Sequence, residues 1–151
     1  MNKTNDELIK IIGSPNVDSK AYLLKKFIKD NFENNGVDFL SATKHFASYL
    51  GVSSTRVKEW LEKDAIVIDK SVFLMATLSP ETKNQKSKRL SNLYSGAEWD
   101  LLADVLNKKY KNNQSRFARE KGLVPQQVSR WINAKKCILV ESQVYRFQRV
   151  F

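Results

Sequence analysis

The sequence predicts an α+β fold, mainly helical with short β-hairpins, built as two tandem copies of one unit. Three observations predict it. The stretches "STRVKEWLE" (54–62) and "PQQVSRWIN" (125–133) both carry Val-x-x-Trp followed by an aliphatic residue. Apolar residues at i, i+1, i+4, i+5 and i+9 recur in "LLKKFIKDNF" and "LLADVLNKKY", a helical face in each. Each copy then ends in two short runs rich in β-branched and aromatic residues, the composition of strands.

The copies align in three segments in the same order. From Phe46-Ala47 against Phe117-Ala118 the offset is 71, and it carries "FASYLGVSSTRVKEWL" onto "FAREKGLVPQQVSRWI". One extra residue in the second copy moves the offset to 72, laying "AIVIDKSVFLM" over "CILVESQVYRF". Upstream the offset is 78, with the additional residues of the first copy around "NNGVDFL".

Taken in order, residues 1–18 form an N-terminal extension, with a short helix over 4–12 stopped by Gly13 and Pro15. The first unit, 19–78, has helices at about 19–33, 40–49 and 54–62 and strands at 65–69 and 72–78. Residues 79–95, "SPETKNQKSKRLSNLYS", are polar and lysine-rich and read as a linker. In the second unit, 96–151, Ser95 serves as N-cap for a helix over about 97–110. A second helix covers 114–121, Gly122 makes the tight turn, and Pro125 opens a third helix ending near Ala134. "CILVE" and "VYRFQRVF" form a hairpin with "SQ" as its turn. The run "SVFLMATL" is apolar on both strand faces and must be covered twice. Strand pairing between the copies would do this, as would a homodimer through the β-strands.

At 42% hydrophobic and 28% charged residues the composition is that of a soluble globular protein. No apolar run is long enough to span a membrane. The first residues, "MNKTNDELIKII", lack the apolar core of a signal peptide. A single cysteine, Cys137, permits no internal disulfide and fits a reducing compartment. The expected location is cytoplasmic. The formal charge of +10 is unevenly placed. Residues 1–80 hold 11 Lys+Arg against 10 Asp+Glu, and residues 81–151 hold 15 against 6. A lysine-rich genome would raise the total but not skew it. The skew points to a polyanionic partner, nucleic acid first and an anionic membrane second.

Two helices joined by a glycine turn, with apolar residues at fixed places, make a helix-turn-helix. Counting from Gln114, Ala118 is the small residue where the helices cross and Gly122 the turn residue that needs positive φ. Val128 and Trp131 seat the second helix on the domain. The first copy meets the same template from Thr43, with Ala47, Gly51, Val57 and Trp60. With Val128, Trp131 and Ile132 facing inward, Gln126, Arg130 and Asn133 face outward, flanked by Gln127 and Ser129. Gln and Asn can pair with adenine, and Arg with guanine N7 and O6. The equivalent outward residues of the first copy are Thr55, Glu59 and Glu62, flanked by Arg56 and Lys58. Glu can accept from cytosine N4, but two carboxylates are repelled by phosphates. Both helices could alternatively serve only to pack a small helical domain.

"QSRFAREKGLVPQQVSRWINAKK" resembles the helix-turn-helix of the lambda repressor and Cro superfamily, whose members regulate transcription in phages and bacteria. "CILVESQVYRF" is similar to the short strands that follow the helices in Cro, where the last strand forms the dimer contact. The resemblance covers about 97–151 and, more loosely, 19–78. It departs from the family at Lys121, usually apolar, and at Val124, where Ser or Thr caps the helix. A second unit in the same chain is a further departure. The resemblance implies two Cro-like units reading double-stranded DNA as a pseudo-dimer. Base readout then falls to Gln126, Gln127, Ser129, Arg130 and Asn133, and backbone contacts to Gln114, Arg116, Lys135 and Lys136. In the first unit the corresponding contacts are Thr43, Lys44, Ser53, Ser54, Thr55, Arg56 and Lys58.

Other chemistry has little to work with. His45 is the only histidine, so His-based metal sites and triads are not expected. Cys137 lies in a strand and reads as core. No phosphate-binding glycine loop is present, and neither a cofactor nor a small-molecule ligand is implied. The basic run "KNQKSKR" reads either as a solvated linker or as a minor-groove arm. The expected function is a sequence-specific DNA-binding transcriptional regulator, of the repressor type because no activation or ligand domain is visible. The alternative is a DNA-binding adaptor or accessory protein of recombination or replication, whose first unit binds a protein. An enzyme is not expected.

Overall fold

The computed structural model describes residues 19–32, 37–76, 81–134 and 136–150. The N-terminal extension, with the helix expected over 4–12, and Lys135 lie outside the described residues. Among these residues the chain forms seven helices and six strands, so it is an α+β protein. The first half runs β1 (Ala21–Leu23), α1 (Leu24–Phe32), α2 (Phe39–Leu50), α3 (Ser54–Glu62), β2 (Ile66–Ile68) and β3 (Ser71–Met75). A connecting helix α4 (Lys83–Ser95) follows. The second half repeats the order with β4 (Trp99–Leu101), α5 (Leu102–Tyr110), α6 (Gln114–Lys121), α7 (Pro125–Ala134), β5 (Cys137–Val140) and β6 (Gln143–Val150).

All strands join one antiparallel sheet in the order β1-β2-β3-β6-β5-β4. The order reads the same from either end once the two halves are exchanged. Alternation along the strands separates two faces. Ile66, Ile68, Phe73, Ile138, Val140 and Tyr145 share one core with Ala21 and Leu93. Val67 and Val72 face the helices of the first half, around Phe46, Val57 and Trp60. Cys137 and Val144 face those of the second, around Phe117, Val128 and Trp131. The outer edges nearly meet: Ala21 N–H donates to Ala97 O at 2.7 Å and Ala97 N–H to Ala21 O at 2.9 Å. The sheet therefore curls round on itself.

Several expectations need correcting. The helix expected over 19–33 begins only at Leu24, because Ala21–Leu23 pair with β2. The helix expected over 97–110 begins at Leu102, because Trp99–Leu101 pair with β5. Ser95 is not its N-cap but the last residue of α4. The two hairpins are thus parts of a larger sheet. The β5–β6 turn is Glu141-Ser142, both at positive φ, one residue earlier than "SQ"; Gln143 belongs to β6 and pairs with Val140. The strands do not need a second chain, because β3 pairs with β6 of the same chain. This covers residues 72–75 of the expected 72–78 strand, and residues 77–78 lie outside the described set.

The largest correction concerns the stretch 79–95. The stretch expected as a polar linker is helical over residues 83–95, with a full capping box. Gln85 N–H donates to Thr82 Oγ1 at 3.1 Å, and Thr82 N–H to Gln85 Oε1 at 2.8 Å. Leu93 enters the core on the face away from the other helices. Arg89, 4% exposed, donates to Glu81 through Nε at 3.2 Å and Nη2 at 2.8 Å. Its Nη1 donates to the Tyr145 hydroxyl at 2.8 Å. One helix is thereby locked to a strand of the second half by a buried charge.

Candidate nucleic-acid interface

The same turn is built twice. In α2 the Ala47 carbonyl accepts from Val52 N–H at 3.1 Å while Gly51 takes φ 73°. In α6 the Ala118 carbonyl accepts from Leu123 N–H at 2.7 Å while Gly122 takes φ 68°. This six-to-one bond with a left-handed residue inside it is the Schellman closure of a helix, and it re-aims the chain for the next helix. Ala47 and Ala118 are buried, as a close helix crossing requires. Val57 and Trp60 on α3, and Val128 and Trp131 on α7, are buried and fix the rotation of each second helix.

That rotation decides which side chains meet solvent. On α7, Gln126, Arg130 and Asn133 are exposed and Gln127 and Ser129 half-buried, along one face opposite Val128 and Trp131. On α3, Thr55, Arg56, Lys58, Glu59 and Glu62 are exposed and Ser54 is half-buried. The two faces occupy equivalent places and differ in charge. Ser53 caps α3, its Oγ accepting the Arg56 N–H at 3.2 Å. Pro125 opens α7 behind an exposed Val124, without that cap.

The residues expected at phosphates behave unequally. Arg116 and Lys44 are exposed; Gln114 and Lys136 are half-buried. Thr43 is a correction: it is 2% exposed and its hydroxyl donates to the Phe39 carbonyl at 2.8 Å. Its place on α2 faces the core beside Phe46, so it is not a surface contact. Arg116 is pre-set by two neighbours. Its Nε lies 3.5 Å from Glu120 Oε1, and its guanidinium lies 5.5 Å from the Tyr110 ring centroid. Tyr110 in turn donates to Glu120 Oε2 at 2.6 Å. That hydrogen bond holds the Glu120 carboxyl below its ordinary range and the Tyr110 phenol above its own. Lys121 reaches the β5–β6 turn, donating to Ser142 O at 3.2 Å, and its burial lowers its pKa.

Two cations escape sequence reading. Arg146 and Arg149 lie on β6, exposed at the surface. Arg149 Nη2 donates to Leu50 O at 2.8 Å, beside the helix-helix turn of the other half. A strand residue reveals its neighbours only through register, and register is not visible in one sequence. Cys137 is buried and its thiol is pushed up to about 12 by desolvation, so it is a core residue. Among the described residues no three His, Cys, Asp or Glu lie together as metal ligands. No described helix is long and apolar enough to cross a membrane. No family model, curated protein or solved structure matches the chain.

Proposed function

We propose that the chain is a sequence-specific double-stranded-DNA-binding regulator, of the repressor type, that works as a single-chain pseudo-dimer of two Cro-like units. One observation carries the reading: two helix–glycine–helix elements with outward polar faces, set in mirrored places on one shared sheet. A pair of such elements addresses two half-sites about one helical turn apart. Lysines and arginines of the second half supply salt-dependent affinity through phosphates. Gln126, Gln127, Ser129, Arg130 and Asn133 supply base readout in the major groove. The first unit offers Lys44, Ser53, Ser54, Thr55, Arg56 and Lys58. Because the two faces differ, the favoured site need not be a palindrome. Such a protein works in the cytoplasm, on the nucleoid.

Selection from random duplexes tests the reading, followed by titration of the winning site to determine stoichiometry. One chain per bipartite site supports it; no enrichment of any duplex sequence sinks it. A second reading is favoured by Glu59 and Glu62, exposed on α3. In it the first unit binds a basic protein partner and the second delivers that partner to DNA, as an accessory of recombination or replication. Enrichment of a single half-site only, matched to α7, would favour this version.

A further inference from the structure

The β3–β6 register shows where the internal symmetry runs. Equivalent strand residues of the two halves differ by 72, as in the cross-strand pairs Ile66–Phe73 and Ile138–Tyr145. Under that equivalence the pairs Phe73–Phe147 and Met75–Tyr145 exchange with each other. Leu74 pairs with Arg146, which is its own equivalent. The pseudo-two-fold axis therefore passes between Leu74 and Arg146.

Both residues belong to the helix-bearing face. Leu74 packs with the core of the first half, and Arg146 stands opposite Cys137, in the core of the second. Directly opposed residues of antiparallel strands share a face. Arg146 is exposed, and among the described residues its guanidinium enters no ion pair. Three residues on, Arg149 anchors to Leu50 O at 2.8 Å, leaving Arg146 as the cation on the midline.

A duplex that meets both second helices from that side presents two major grooves about 34 Å apart, with the minor groove midway between them. We propose that Arg146 contacts the DNA at this midpoint, in the minor groove and against its flanking phosphates. The proposal rests on the DNA-binding reading above. An arginine there senses groove width, since narrow A/T-rich minor grooves concentrate negative potential. A homodimer would place two identical side chains about the axis. Here one is arginine and the other leucine, so a single cation meets the centre of the site.

The test uses the full chain and duplexes carrying the selected bipartite site, with the central base pairs A/T-rich in one set and G/C-rich in the other. Wild type is expected to favour the A/T-centred duplex by roughly three- to tenfold, the scale of one minor-groove contact. Arg146→Leu, which copies its partner Leu74, should equalise the two while keeping the half-site preferences. Its slope of log K against log salt should become shallower by about one. Arg146→Gln, which adds no apolar surface, must behave likewise. Equal binding of both duplexes by wild type, or a preference that survives both substitutions, overturns the proposal and leaves the DNA-binding reading standing. A centre effect lost only on replacing Lys83, Lys86 and Lys88 would put the duplex on the α4 side, also overturning it. Failure to select any duplex sequence would overturn both.

Discussion

Replacing Arg89 by methionine isolates what holds α4 to the sheet. Methionine fills much of the same volume but removes both hydrogen bonds to Glu81 and the one to Tyr145. The Glu81 side chain is only 10% exposed, and among the described residues its other hydrogen bond comes from Gln143 Nε2 at 3.5 Å. A carboxylate left buried without its counter-ion costs about 3–5 kcal/mol. The sign with pH follows from Glu81, whose carboxyl is held below its ordinary range chiefly by the Arg89 hydrogen bond. Wild type therefore has that stabilisation in full above the unfolded pKa, about 4.3, and loses it as pH falls through the lower folded value. The variant lacks it throughout, so the stability gap should narrow as the solution is acidified from pH 7 towards pH 3.5. Urea unfolding of both proteins across that range measures it. Adding Glu81→Gln to the variant should recover about 1–4 kcal/mol. A gap under about 1 kcal/mol that does not change with pH would refute the reasoning. It would mean that α4 is loosely docked and that 81–95 acts as the linker its composition suggests.

Further outcomes follow from the proposed DNA-binding reading. Arg130→Ala should weaken specific DNA binding about ten- to a hundredfold, the worth of one bidentate base contact, whereas Glu59→Ala should leave it unchanged or raise non-specific affinity. Equal losses in a fixed-salt titration against specific and scrambled duplexes would make the units equal readers. If the second half neutralises about five or more phosphates, log K should fall against log salt with a slope of roughly −4 or steeper; a flat response with intact binding would remove the electrostatic account. Gly51→Ala should cost about 1–2 kcal/mol in a denaturation curve, purely from the left-handed backbone, because a Cβ there meets nothing within 4 Å. No loss would mean that the turn relaxes. Because β3 and β6 satisfy each other, light scattering should report one chain per particle; a stable dimer would show that they open and re-pair.

Side chains with local reasons were legible in the sequence; those with distant reasons were not. Gly51, Gly122, Pro125, Val57, Trp60, Val128 and Trp131 are set by the helix they stand on, and their roles follow from spacing alone. The changing offset between the copies, 78 and then 72, recurs in the paired starts Leu24/Leu102 and the paired strand residues Ile66/Ile138. Strands β1 and β4 hid because each runs straight into a helix. Three apolar-rich residues ahead of Leu24 or Leu102 look like another helical turn until β2 or β5 pairs with them. Helix α4 hid for the opposite reason, its contribution to the core being little more than Arg89 and Leu93. Its capping box, Thr82 to Gln85, was the missed local sign. Thr43 illustrates the limit at the candidate interface: a template position names the residue, but the face that α2 turns to the core decides whether it sees water.

The contact between Ala21 and Ala97 bears on the fate of the chain outside its folded state. An open sheet offers two rows of unpaired amides, each a template on which another molecule can grow a strand. Here a pair of hydrogen bonds between two alanines brings those rows together at one point, and the small side chains let the backbones approach. A proteolytic cut that separated the halves would expose the flanks of β3 and β6 as well as those of β1 and β4. The liberated pieces would be expected to clump rather than drift apart, which makes the covalent tether itself a safeguard of solubility.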